Sequence, residues 1–235
     1  MTKGVDPSPS SETGRCRRST IMAAWLMAGM AFAAAGCASE ESIKRSNGYY
    51  QEGVASLNTD RQKAFVSFQK AVQLNPDNKD ARYGLGHIYA LQGKFKQAEE
   101  EFREAIRVSP DYSEAHTYLG QVLASQERWT EAIAAYRQAL ANPMYGTPDL
   151  ARFHIGRALV HEGDVHAAVE VFEDALNVSP STVPPALLHL ELGRAYLTLG
   201  FERRAREEFT KVSGLDKGGQ YGAEADQLLQ RHKLY

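Results

Sequence analysis

The sequence predicts an all-α solenoid of about five helix–turn–helix units plus a C-terminal capping helix, and three observations carry that prediction. In Tyr83–Tyr112 (YGLGHIYALQGKFKQAEEEFREAIRVSPDY), Gly86 and Ala98 are small where the two helices of a hairpin would cross. Helix axes come within about 8–10 Å only over small side chains. Tyr89 and Phe102 fill the space beside that crossing, Gly93 permits a tight turn, and Pro110 ends the second helix because it cannot continue the ladder. Second, the pattern recurs: Gly53, Gly86, Gly120, Gly156 and Gly193 stand 33, 34, 36 and 37 residues apart. Third, 235 residues with 43% hydrophobic and 24% charged side chains can bury a sizeable core. A formal net charge of −2 gives no reason to expect a nucleic-acid partner.

Those residue positions resemble the tetratricopeptide repeat, a 34-residue helical hairpin, and the resemblance implies a right-handed superhelix. Taken in order, residues 1–36 read as a lipoprotein signal peptide, 37–45 as a lipidated tether, 46–219 as five repeats and 220–235 as a capping helix. The repeats span 46–78, 79–112, 113–148, 149–185 and 186–219. Repeat one is degenerate, with Glu52 in a usual Leu position and a turn around Asn58–Asp60 one residue short. An atypical terminal repeat suits a capping unit. Repeat three closes on the enlarged turn Pro143–Pro148, and an insertion Ser181–Pro185 precedes repeat five. Ala225, Leu228 and Leu229 give the last helix one apolar face.

The leader has Arg15, Arg17 and Arg18, then the uncharged run Ile21–Ala35, then Gly36-Cys37. A basic segment, a short apolar segment and small residues form a secretory signal peptide. The tail Ala34-Ala35-Gly36-Cys37 resembles the bacterial lipobox, with Ala34 where Leu is usual. That resemblance implies lipidation of Cys37 (palmitate among the acyl chains) and, with Ala38-Ser39 following, an outer-membrane lipid anchor facing the periplasm. An ordinary signal peptide with an incidental cysteine, or an uncleaved anchor, are the competing readings.

No catalytic or metal constellation assembles. His161-Glu162-Gly163-Asp164-Val165-His166 approaches the zinc-protease pattern, but the second His comes at i+5 and would sit about 140° around a helix. The only cysteines, Cys16 and Cys37, precede the repeats. The sequence therefore points to no enzyme, no cofactor, no metal and no small-molecule substrate. Glu99 and Arg103 read as an i, i+4 pair on a solvated helix face.

What remains is binding surface. In the resembled repeat, the first helix of each hairpin lines the concave groove through positions 2, 5, 6, 9, 12 and 13. Position 5 maps to Tyr50, Tyr83, Thr117, Phe153 and Leu190, with Tyr118 beside it; position 9 maps to Val54, His87, Gln121, Arg157 and Arg194. The candidate partner-binding set is Tyr50, Tyr83, His87, Tyr118, Gln121, Phe153, Arg157 and Arg194, an aromatic ridge flanked by basic residues towards the C-terminus. Packing between repeats competes for each of them, because groove and core positions adjoin. With the lipobox, the repeats and the turn Pro143-Met-Tyr-Gly-Thr-Pro148, the chain is similar to the type IV pilus pilotin lipoproteins (PilF, PilW and Tgl type). The resemblance implies help in localising and assembling the pilus secretin, a protein partner and a membrane anchor through Cys37. The alternative is a periplasmic adaptor for cell-wall hydrolases or envelope polysaccharide export.

Overall fold

The computed structural model describes residues 38–233, so the leader and Cys37 lie outside the described residues. Eleven helices and no strand occur among them. They are α1 (Glu40–Ser56), α2 (Arg61–Leu74), α3 (Lys79–Leu91), α4 (Phe95–Val108), α5 (Ser113–Ser125), α6 (Trp129–Ala141), α7 (Pro148–Glu162), α8 (Val165–Leu176), α9 (Pro185–Thr198), α10 (Glu202–Leu215) and α11 (Gln220–Arg231). Consecutive helices pair as five hairpins, each hairpin packs on the next, and α11 closes the array against α10 and α9.

Local chemistry sets where the helices start. Asp60, Asn78 and Asp164 cap α2, α3 and α8, accepting from Lys63, Ala81 and Ala167 backbone N–H groups at 2.9–3.1 Å. Pro148 and Pro185 open α7 and α9, where a missing N–H costs nothing. Gly93, Gly163 and Gly200 take the left-handed conformation that reverses the chain inside a hairpin. In repeat three that place is held by Glu127, at φ 60°.

The marker glycines work as sockets for rings. A Cβ added to Gly53, Gly86, Gly120, Gly156 or Gly193 would come within 2.4–2.8 Å of Phe68, Phe102, Tyr136, Phe172 or Phe209 respectively. Each ring belongs to the second helix of the same hairpin and is almost fully buried. Phe68 also meets Gly84 of the next repeat, so one ring locks two units. The apolar interior falls into two clusters, a small one built on Ala64, Phe68, Ala71, Ala81, Leu85 and Ile88, and a continuous one from Ala98 to Ala225. The half-buried Tyr89 touches both.

Three expectations are corrected. Residues 40–45, read as part of a tether, are the first turns of α1, because Ser39 caps the helix by accepting from Ser42 N–H and Glu40 and Glu41 suit its positive end. The missing residue of repeat one is taken from the helix and not from the turn: α1 ends three residues past Gly53, whereas α3 runs five past Gly86. Glu99 is no solvated residue. It is 6% exposed and bonds Arg128 of the next repeat at 2.8 Å as well as Arg103. Burial opposes its charge, but the hydrogen bonds from Arg128 and Gln126 prevail and hold the carboxyl below its usual range.

The two departures from repeat length are both pinned. In the 143–148 turn, Tyr145 turns inward and its hydroxyl lies 2.8 Å from Thr117 Oγ1, while Met144 stands 86% exposed. The 181–185 insertion wraps onto Asp149, whose Oδ2 accepts from Thr182 N–H and, at 2.7 Å, from Val183 N–H.

Candidate functional site

The first helices of repeats two, three and four place the candidate residues along one face. Between α3 and α5 lies a cleft of about 210 Å³ lined by His87, Leu91, Phe95, Tyr118, Gln121 and Ser125, among others. Between α5 and α7 lies another of about 330 Å³, with Gln121, Ser125, Trp129, His154, Arg157 and His161 on its walls. Gln121 and Ser125 border both, so the two clefts run on from one another across α5.

Aromatic contacts order the first cleft. Tyr83 packs tilted against Tyr112 and meets Tyr118 edge-on, both at 5.4 Å, and Tyr118 in turn meets His87 edge-on at 5.2 Å. Burial, followed by its neighbour Tyr118, raises the Tyr83 hydroxyl, which stays protonated. Burial and then the charge of Arg61 lower His87.

The second cleft is organised by two histidines. His154 stacks on Tyr136 at 5.4 Å and its Nε2 lies 3.1 Å from Gln121 Nε2. An amide N–H there needs an acceptor, so Nε2 carries no proton and the ring is neutral. Burial, with Arg157 adding repulsion, pulls His154 down to about 4. His161 lies parallel on Trp129 with centroids 4.1 Å apart. The fixed positive charge of the cleft is that of Arg157, whose guanidinium lies 5.8 Å over the Phe153 ring and enters no ion pair among the described residues.

Of the eight candidates, His87, Tyr118, Gln121 and Arg157 line the clefts and Tyr83 backs the first through Tyr118. Tyr50 lies half-buried against Phe68 at 6.0 Å, outside both. Phe153 is corrected: it is 7% exposed and packs on Phe172 in the core, where an apolar ring gains most from losing water. Thr117 and Leu190 are buried likewise, Thr117 beneath Tyr145. Arg194 does not extend a basic stripe, because Glu191 and Glu224 both bind its guanidinium.

Trp129, His154 and His161 were not among the candidates. His154 shares repeat position 6 with Tyr118, and His161 shares position 13 with Leu91, so mapping those positions as well as 5 and 9 finds both. The HEGDVH stretch spans two helices, His161 lying in the last turn of α7 and His166 in α8. Among the described residues no three His, Cys, Asp or Glu side chains converge to hold a metal ion, and no helix is long and apolar enough to cross a membrane.

Family models of the tetratricopeptide repeat match residues 92–147 and 151–182, and a TPR repeat model matches 62–93. The chain belongs to the tetratricopeptide repeat family. An uncharacterised protein of Methanocaldococcus jannaschii is 36% identical over 62 residues, 26% of this chain and 72% of that protein. Among solved structures, Pseudomonas aeruginosa PilF superposes with a TM-score of 0.69 at 20% identity, over 83% of this chain and 89% of that one. PilW, described as a widely conserved type IV pilus biogenesis factor, gives 0.63 at 24%, over 81% and 94%. YrrB, a TPR protein described as having an unusual peptide-binding site, gives 0.65 at 22%, over 80% and 95%. These likenesses establish a shared repeat superhelix, the architecture of protein-interaction scaffolds.

Proposed function

We propose that this scaffold is an outer-membrane lipoprotein of the pilotin kind, anchored through Cys37 and facing the periplasm, which helps localise and assemble the secretin of a type IV pilus. The observation that carries the reading is a combination: a lipobox-like leader immediately before a repeat superhelix whose fold is shared with two type IV pilus proteins over most of both chains. Each acyl chain buries methylenes worth about 0.8 kcal/mol apiece, and two or more hold a protein stably at a bilayer. The repeats then present a continuous pair of clefts as the protein-binding element. No residue of the clefts has a chemical part to play in a reaction on this reading.

The test is a deletion strain complemented with wild-type chain or with Cys37→Ser. Loss of heat-resistant secretin multimers from the outer membrane is expected on deletion, with the Cys37→Ser protein failing to restore their location. Normal multimers in the deletion strain would end the pilotin reading. A second reading, an adaptor for cell-wall hydrolases or polysaccharide export, is kept open by one observation: YrrB superposes with a TM-score between those of PilF and PilW, so the fold alone does not select a partner. Crosslinking to hydrolases or export proteins without a secretin would select it.

A further inference from the structure

We propose that the paired clefts take an extended segment of a partner protein that carries a carboxylate side chain at the α5–α7 cleft and an apolar side chain about three residues away at the α3–α5 cleft. The proposal rests on the scaffold reading above and names the chemistry of what the scaffold holds.

Charge complementarity gives the first half. Arg157 is exposed at the wall of the larger cleft, stacked on Phe153 and free of any carboxylate among the described residues. No Asp or Glu among the described residues lines either cleft. The acid nearest in sequence, Glu162, instead accepts from Thr130 Oγ1. Arg157 is the one fixed cation lining the clefts, with His154 accepting from Gln121 beside it, and it faces a largely apolar trough. A guanidinium with no carboxylate partner of its own there can recognise one through two parallel hydrogen bonds. The flat Trp129–His161 pair borders the same space and offers a stacking surface to the backbone or side chain beside that carboxylate.

Spacing gives the second half. Leu91 is 53% exposed and, with Phe95 and Tyr118, makes the smaller cleft apolar. The first helices α3, α5 and α7 of neighbouring repeats touch one another, and helices in contact lie about 8–10 Å apart, the reach of three extended residues at about 3.3 Å each. An extended segment crossing α5 would find Gln121 and Ser125, polar groups able to meet its peptide bonds.

The experiment uses the full chain with Trp25→Phe in detergent, leaving Trp129 as the sole tryptophan. The probes are capped heptapeptides carrying Leu and, three residues on, Asp, Asn or Lys. The Asp peptide should perturb Trp129 emission and bind at least tenfold more tightly than its Asn counterpart. That preference should shrink with added salt and disappear in Arg157→Gln. Arg157→Lys should keep part of it, while helicity and melting stay unchanged in both variants. Equal affinities for all three peptides, no binding by any of them, or an Asp preference that survives in Arg157→Gln would overturn the proposal. Acetate competing at millimolar concentration as well as the peptide would also overturn it, leaving a simple anion site. The secretin assay is separate: an acidic preference with normal secretin multimers in the deletion strain removes the pilotin reading and leaves the cleft chemistry standing.

Discussion

Adding one methyl group to a marker glycine should destabilise the whole array, and Gly156→Ala is the sharpest case. The new Cβ would lie 2.5 Å from Phe172 Cε1 and 2.7 Å from Cδ1 and Cζ, against ordinary carbon contacts of about 3.5–4.0 Å. Phe172 is 0% exposed, so the ring must retreat by about 1 Å into packed neighbours. Overpacking of this kind costs about 2–3 kcal/mol, the upper part of the usual range, because three ring carbons are met at once. Alanine returns about 1 kcal/mol of helix propensity. The net loss is then about 1–2 kcal/mol, lowering the midpoint by about 2–8 °C for a chain of this size. Circular dichroism melts of a double-mutant cycle with Phe172→Leu isolate the contact. With the ring removed, Gly156→Ala should become neutral or stabilising, giving a coupling of about 2 kcal/mol. Gly48→Ala on α1, where a Cβ meets nothing within 4 Å, is the control and should be stabilising. An equal loss with and without the Phe172→Leu change, or a more stable Gly156→Ala protein, would refute the socket argument.

Three further outcomes follow from the same geometry. Glu127→Gly should stabilise by about 1 kcal/mol, because it removes a side chain from the left-handed conformation that glycine holds in the neighbouring hairpins; an unchanged melt would count against it. Asp149→Ala leaves the Thr182 and Val183 N–H groups without their acceptor, and should cost about 2–4 kcal/mol while exposing 181–185 to proteolysis. Undiminished protease resistance there would contradict the clamp. His154 is held near 4 when folded and titrates at about 6.5 when unfolded, so the unfolded chain takes up the proton first as pH falls. Stability should therefore decline from pH 6.5 to 4 by up to about 3 kcal/mol and level off below, and His154→Gln should flatten that limb in pH-dependent urea titrations. A variant with the same acid limb as the wild type would place the burial of His154 in doubt.

The hairpins were legible in the sequence because their packing rule is local and stereotyped. Gly86 and Phe102, or Gly156 and Phe172, lie a fixed number of residues apart, and only a glycine leaves room for the ring. The groove was legible only in part. Position 9 reaches the clefts through His87, Gln121 and Arg157, whereas position 5 does not: Tyr83 only backs one cleft through Tyr118, Thr117 lies under Tyr145 from a turn 28 residues on, and Phe153 finds Phe172 in the core. Glu99 shows the same limit: its neighbour Arg103 is visible in sequence, while Arg128, which joins it to the next repeat, is 29 residues away. Arg194 reads as a free cation until α11 folds back and brings Glu224 to it. Residues whose environment is made within one hairpin are therefore readable, and those completed by a neighbour are not.

The division of the apolar core decides how the molecule would carry tension. The first hairpin shares a small cluster with Ala81, Leu85 and Ile88 of α3, while Tyr83, Tyr89 and Ala90 of the same helix also pack against the large interior that runs from Ala98 onward. A pull entering at the N-terminal end meets the small cluster first, and because each unit of a repeat array contacts only its neighbours, the first hairpin can yield while the others stay folded. The first hairpin would release about 110 Å of chain, some 34 residues at about 3.3 Å each, before the clefts at α3–α7 were distorted. It would act as a mechanical fuse ahead of the clefts, and force spectroscopy on the chain pulled from its N-terminal end should show it as one early, low-force step.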